Sequence, residues 1–192
     1  MEPYLYHGIR DYNLDKLINI LKTGYIVKRS NLEDKYKSKD IDEIDFNGEN
    51  YISLSQKSLY DPYRGISRFS SFDRFIYNHL CFVIKNHFKN LIFTNFVDFD
   101  MYSSNYFKNI LKEDKERYST FMDEVQTEVD IPVSDFLAVG YPVKYLKYRT
   151  DTNSEIELIK NTLNEVKLEI PVVDSSFYDF ADTEEKIKKY TL

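Results

Sequence analysis

The 192-residue chain predicts an α+β fold with a largely antiparallel or mixed sheet and peripheral helices. Three observations carry that prediction. Runs of strand length, apolar or alternating, recur at 4–9, 25–27, 50–55, 81–84, 91–96, 124–131 and 136–140. Helical periodicity is confined to a few stretches, chiefly 14–23 and 153–163. Hydrophobic content of 42% with 16% aromatics is enough for a core, while 30% charge is ordinary for a water-facing surface. A chain of this length buries about two-thirds of its unfolded surface, so residues 1–192 are expected to form a single domain.

Taken in order, Tyr4 to Ile9 reads as a strand rich in aromatic and β-branched residues. Leu14, Leu17, Ile18 and Leu21 then fall at i, i+3, i+4 and i+7, which predicts a helix capped by Asn13 and ended by Gly24. Tyr25 to Val27 is a short strand, and the charged stretch from Asn31 to Glu49 has almost nothing to bury and reads as a loop. Asn50 to Ser55 alternates like a half-buried strand, and Gln56 to Ser71 reads as an irregular loop carrying Tyr60-Asp61-Pro62-Tyr63-Arg64-Gly65.

Phe72 to His79 reads as a short helix or a strand extension. Cys81 to Ile84 and Leu91 to Phe96 then look like the arms of a hairpin, and Phe107, Ile110 and Leu111 give 103–114 a helical pattern. Glu124 to Ile131 is expected as one strand, 132–135 as a bend and Phe136 to Gly140 as another strand. Ile156, Ile159 and Leu163 share a helical face, with Asn153 or Ser154 as cap. Val166 to Val173 is a final apolar stretch, and the polar tail ends in a short helix.

Composition narrows the function classes. A net charge of −6 disfavours sequence-independent binding to a phosphate backbone, which needs a large basic footprint, although Lys144 to Arg149 interleaves basic and aromatic residues in a short surface strand. The one cysteine, Cys81, lies in an apolar run, so no disulfide framework forms and a buried thiol is expected. With one cysteine and three scattered histidines no metal site is expected. No apolar run reaches membrane-spanning length and no leader pattern opens the chain, so the expected location is cytoplasmic with no membrane partner.

Three short segments carry chemistry: Tyr6-His7-Gly8, Tyr51-Ile52-Ser53-Leu54-Ser55 and Gln126-Thr127-Glu128-Val129. Gly8 lets a ligand approach the backbone because no Cβ stands in the way. Strand alternation sets Glu124, Gln126 and Glu128 on one acidic face. Taken singly, the first pair also fits a strand-end histidine beside a bulge glycine, and the third fits a charged sheet edge. Their order along the chain distinguishes them.

That order resembles the ADP-ribosyltransferase family, in its His-Tyr-Glu type: a first strand with His-Gly, a following helix and glycine, a tyrosine and serine strand, and a late Gln-x-Glu. The resemblance runs over residues 4 to 140 and mixes features of the histidine and serine branches. It implies an ADP-ribosyltransferase-like fold whose sheets form an NAD cleft, NAD as substrate, and transfer of ADP-ribose to a protein or nucleic-acid acceptor. An NAD glycohydrolase and a non-catalytic partner-binding module are the alternatives.

The resemblance implies that Glu128 is the catalytic carboxylate and Gln126 sits nearer the acceptor, a glutamine there leaning away from arginine as the modified group. It further implies that His7 bonds a ribose, Gly8 pairs through its backbone with the nicotinamide carboxamide, Tyr51 or Tyr60 stacks on the ring, and Ser53 supports the glutamate or ribose. Arg64, Arg68 or Arg10 would meet the pyrophosphate. A toxin, a phage-encoded modifier and a defence effector would all fit.

Overall fold

The computed structural model describes residues 4–9, 12–36, 50–56, 80–88, 92–94, 124–148, 151–177 and 183–192. The expected elements at 72–79 and 103–114, and the loop holding Tyr60, Arg64 and Arg68, lie outside these. The strands are β1 (Tyr4–Ile9), β2 (Tyr25–Ile26), β3 (Ile52–Gln56), β4 (Leu80–Lys85), β5 (Ile92–Thr94), β6 (Glu124–Thr127), β7 (Ile131–Pro132), β8 (Phe136–Tyr141) and β9 (Val172–Asp174). Seven of them form a sheet in the order β5-β6-β3-β1-β4-β8-β9, and β2 pairs with β7 apart from it. All pairings are antiparallel except β8 with β9, so the α+β class with a mixed sheet is what forms.

The hairpin expected from 81–84 and 91–96 does not form. Leu80, Cys81, Phe82, Val83 and Ile84 are all buried. A strand apolar on both faces is stable only where the sheet is covered on both sides and flanked on both edges. β4 therefore lies between β1 and β8, and β5 lies at the far edge on β6.

Alternation divides β1 and its neighbours between two cores. Leu5, Ile9, Leu54, Phe82 and Val139 join the larger cluster, in which Phe82 stacks on Phe136 with ring centroids 4.4 Å apart. Against them pack α1 (Leu14–Thr23), through Leu17, Ile20 and Leu21, and the helix Thr152–Glu165, through Ile156, Ile159 and Leu163. Each such side chain contributes about 1.5–3 kcal/mol when fully buried. Tyr6, Val83, Ala138 and Val173 form a smaller cluster on the other face, packed against Ile187 of the helix Thr183–Lys189. The Tyr4 hydroxyl donates to Glu184 Oε1 at 2.6 Å, fixing that helix over the start of β1.

The signals for α1 are all local, and the structure matches them. Asn13 Oδ1 accepts from Lys16 N at 2.8 Å, and Gly24 takes φ 85° while its N–H bonds Ile20 O at 3.0 Å. The later helix starts earlier than expected. Its cap is Asp151, which accepts from Ser154 N at 3.3 Å and from the Ser154 hydroxyl at 2.7 Å. An aspartate bonds both groups of one serine, which neither Asn153 nor Ser154 can do from inside the first turn.

The stretch read as a basic surface strand is a short helix, Val143–Leu146. Pro142 cannot extend the β8 ladder, and the freed N–H groups find side-chain acceptors: Val143 N bonds Asp174 Oδ1 at 3.3 Å and Lys144 N bonds Ser176 Oγ at 2.9 Å. Among the described residues no helix is long and apolar enough to cross a membrane.

Cys81 is buried, as expected, and burial pushes its thiol up from 9.0 to about 12. The folded state therefore keeps a proton that the unfolded chain releases, and stability falls as pH rises from 9.0 toward about 12. The slope is at most about 1.4 kcal/mol per pH unit. Chemical melts across that interval should show this decline, and Cys81→Ala should flatten it. A thiol reagent at pH 8 should label the native protein only after denaturant is added.

Candidate active site

Strand direction gathers the three chemical segments. β1 and β6 each run antiparallel to β3, so the end of β1, the start of β3 and the end of β6 lie together at one end of the sheet. His7 and Gly8 fall in the last three residues of β1, Tyr51 precedes β3 directly, and Glu128 directly follows β6. With strands about 4.8 Å apart, β6 and β1 are separated by about 10 Å across β3. In sequence these positions are up to 121 residues apart, the distance from His7 to Glu128.

Register fixes which face each residue takes, because directly paired residues project to the same side. Tyr6 pairs with Ser55, and Ser53 pairs with Gln126, so Ser53 and Gln126 share the face of Tyr6. Gly8 also shares it, two residues on from Tyr6. It sets no side chain on that face at the end of β1 nearest Glu128. His7 pairs with Phe82 and alternates with Leu5 and Ile9, so its half-buried imidazole starts from the face of the larger core. The imidazole and Gly8 thus address opposite faces at the same end of the sheet.

Among the described residues the ladder between β1 and β3 comprises Leu5↔Gln56 and Tyr6↔Ser55, whereas β4 pairs along all six residues of β1. From His7 onward β1 is laddered to β4, toward the end of the sheet where Tyr51 and Glu128 lie.

At this end of the sheet the Tyr51 hydroxyl donates a hydrogen bond to the Glu128 carboxylate. The bond raises the phenol above its ordinary value, and partial desolvation and the adjacent negative charge act in the same direction. Register explains the meeting: Ile52 pairs with Thr127, so Tyr51 and Glu128 flank one pair at the end of the ladder. Glu128 is itself exposed, which leaves its carboxylate open to a ligand as well as to Tyr51. A tyrosine read from sequence as an aromatic surface for a ring is here also a donor to the acid.

The expected continuous strand from 124 to 131 is interrupted at this point. β6 ends at Thr127, residues 128 and 129 form a bend, and β7 starts at Ile131 to pair with β2. Thr127 is 2% exposed, and its hydroxyl oxygen accepts from Val129 N at 3.2 Å, which draws the chain out of the ladder. Sequence reading passed over Thr127; the signal was a hydroxyl at a position where Ile52 and Leu54 make the face apolar.

No family model matches the chain, and no curated protein matches it. Among solved structures it is similar to Thermus sp. 2.9 DarT in complex with NAD+, at TM-score 0.45 and 13% identity, over 92% of this chain and 98% of that one.

Proposed function

We propose that this protein is an NAD-dependent mono-ADP-ribosyltransferase that moves ADP-ribose to a protein or nucleic-acid acceptor. The observation that carries the reading is the Glu128 carboxylate, hydrogen-bonded by Tyr51 at the end of the sheet where β1 carries Gly8. Cleaving the bond between nicotinamide and ribose builds positive charge on the sugar, and a fixed carboxylate opposes that charge as it develops. The pyridinium leaves as a neutral molecule, so its departure needs no proton and one carboxylate suffices.

In this reading Gly8 offers its backbone to the carboxamide, with no Cβ to hold the ring away. His7 bonds a ribose hydroxyl from the strand end. Tyr51 or Tyr60 supplies the stacking ring, Ser53 supports Glu128 or the ribose, Arg64 meets the pyrophosphate, and Gln126, paired across from Ser53, faces the acceptor side.

Incubation with NAD labelled in its adenosine half, together with a whole-cell extract, tests the reading. Label on a macromolecule is the expected result. Label recovered only as free ADP-ribose makes the protein an NAD glycohydrolase instead, and intact NAD overturns both.

A further inference from the structure

Val129 N and the Thr127 hydroxyl meet at 3.2 Å beneath the exposed Glu128, inside an otherwise apolar neighbourhood. Thr127 pairs with Ile52, which is 3% exposed, and two residues back Val125 pairs with Leu54, which is 1% exposed. Valine would fill that space with nearly the same shape and no polar atom to desolvate. The hydroxyl is therefore not explained by packing. What it does is accept an N–H two residues ahead, the local bond by which Ser and Thr turn a chain away from a ladder.

From this geometry we propose that Thr127 is a positioning residue for Glu128: its buried hydroxyl ends β6 at residue 127 and sets the bend that orients the carboxylate, which register has already brought opposite Tyr51. The bend matters because of strand alternation. Were β6 to continue straight into β7, Glu128 would be one more rung of the ladder, its backbone paired and its side chain held upright on one face of the sheet. The bend frees residue 128 from pairing while Thr127, anchored among Ile52 and its neighbours, keeps the turn from wandering. Tyr51 then limits the carboxylate from the other side. A displacement of about 1 Å at a reacting group can cost on the order of 100-fold in rate.

The proposal deepens the transferase reading and rests on it for the rate measurement, so its test has a second arm free of catalysis. Thr127→Val keeps the branched shape and removes the acceptor; Thr127→Ser keeps the acceptor. With NAD as probe, Thr127→Val should lower kcat for nicotinamide release about tenfold with KM little changed, and Thr127→Ser should stay within about threefold of the parent. In the second arm the phenol of Tyr51 is titrated by ultraviolet difference against Tyr51→Phe. Its raised value should fall toward the ordinary one in Thr127→Val and hold in Thr127→Ser. Unchanged kcat and unchanged Tyr51 titration in a folded Thr127→Val overturn the proposal, as does a Thr127→Ser variant as impaired as the valine. A parent protein that releases no nicotinamide, but whose Tyr51 titration shifts as stated, overturns the transferase reading and leaves Thr127 as the residue that sets Glu128.

Discussion

Glu128→Gln should lower turnover on the order of 100-fold while leaving NAD bound. The amide is isosteric with the carboxylate and its oxygen can still accept from the Tyr51 hydroxyl, so the bend and the hydrogen bond at the sheet end persist. What disappears is the negative charge that opposes the developing cation. Losing one fixed group of this kind costs on the order of 10²–10³ in kcat, and the exposed setting of Glu128 argues for the lower part of that range unless the bound dinucleotide excludes water. Nicotinamide release under saturating NAD gives kcat, and calorimetry on the same variant gives Kd. The expected pattern is a large fall in the first and little change in the second. A variant that turns over within about twofold of the parent removes Glu128 from the chemistry.

Gly140→Ala should give the largest loss of stability from a single added methyl group. Gly140 on β8 pairs with Cys81 on β4, and Cys81 pairs with Gly8 on β1, so two glycines flank a buried thiol across the sheet. A Cβ built at Gly140 would lie 2.4 Å from Cys81 Sγ and 3.1 Å from Ser175 Cβ. Neither neighbour can swing away: Cys81 is 2% exposed and Ser175 1%. Relief must come from moving strands, and overpacking of this kind costs about 1–3 kcal/mol, with the upper end expected where the obstacle is a sulfur in mid-sheet. Denaturant midpoints measure it. Cys81→Ala in the same chain removes the nearer obstacle and should recover most of the loss, while the Ser175 contact keeps the recovery partial. The two substitutions are therefore strongly non-additive. A Gly140→Ala protein as stable as its parent would show that the strands part there at no cost.

The elements readable from sequence were those whose signals are local. Asn13, the stripe from Leu14 to Leu21, and Gly24 lie within one short stretch, and cap, stripe and stop all agree. The α+β class followed from the same kind of reading. Pairing partners did not. β4 and the segment at 91–96 look like hairpin arms because they are adjacent, yet the doubly buried β4 belongs in mid-sheet, where its neighbours come from residues 4–9 and 136–141. Likewise Asp151 caps a helix from two positions outside the stretch where sequence periodicity begins.

For the candidate site, the three segments were legible and their meeting was not. That Tyr51 donates to Glu128 depends on β3 pairing with β6 in one register, and no local pattern specifies a register over that separation. Alternation alone also kept Glu124 to Glu128 in one strand. It could not register that a threonine hydroxyl would end the strand before the acid. His7 and Gly8 looked like a single unit in sequence, but consecutive strand residues face opposite ways, so the glycine and the imidazole address different sides of the same end.

The most direct test of the site is calorimetric titration of NAD into the parent protein and into Gly8→Val. Valine sets a branched side chain on the face that Gly8 leaves bare, and because Gly8 pairs with the buried Cys81 the variant is read only after a cooperative melt shows that it folds. Saturable heat with the parent, and its loss in Gly8→Val, is the predicted result. No saturable heat with the parent, or an unchanged Kd in Gly8→Val, would contradict the placement of the dinucleotide at this end of the sheet.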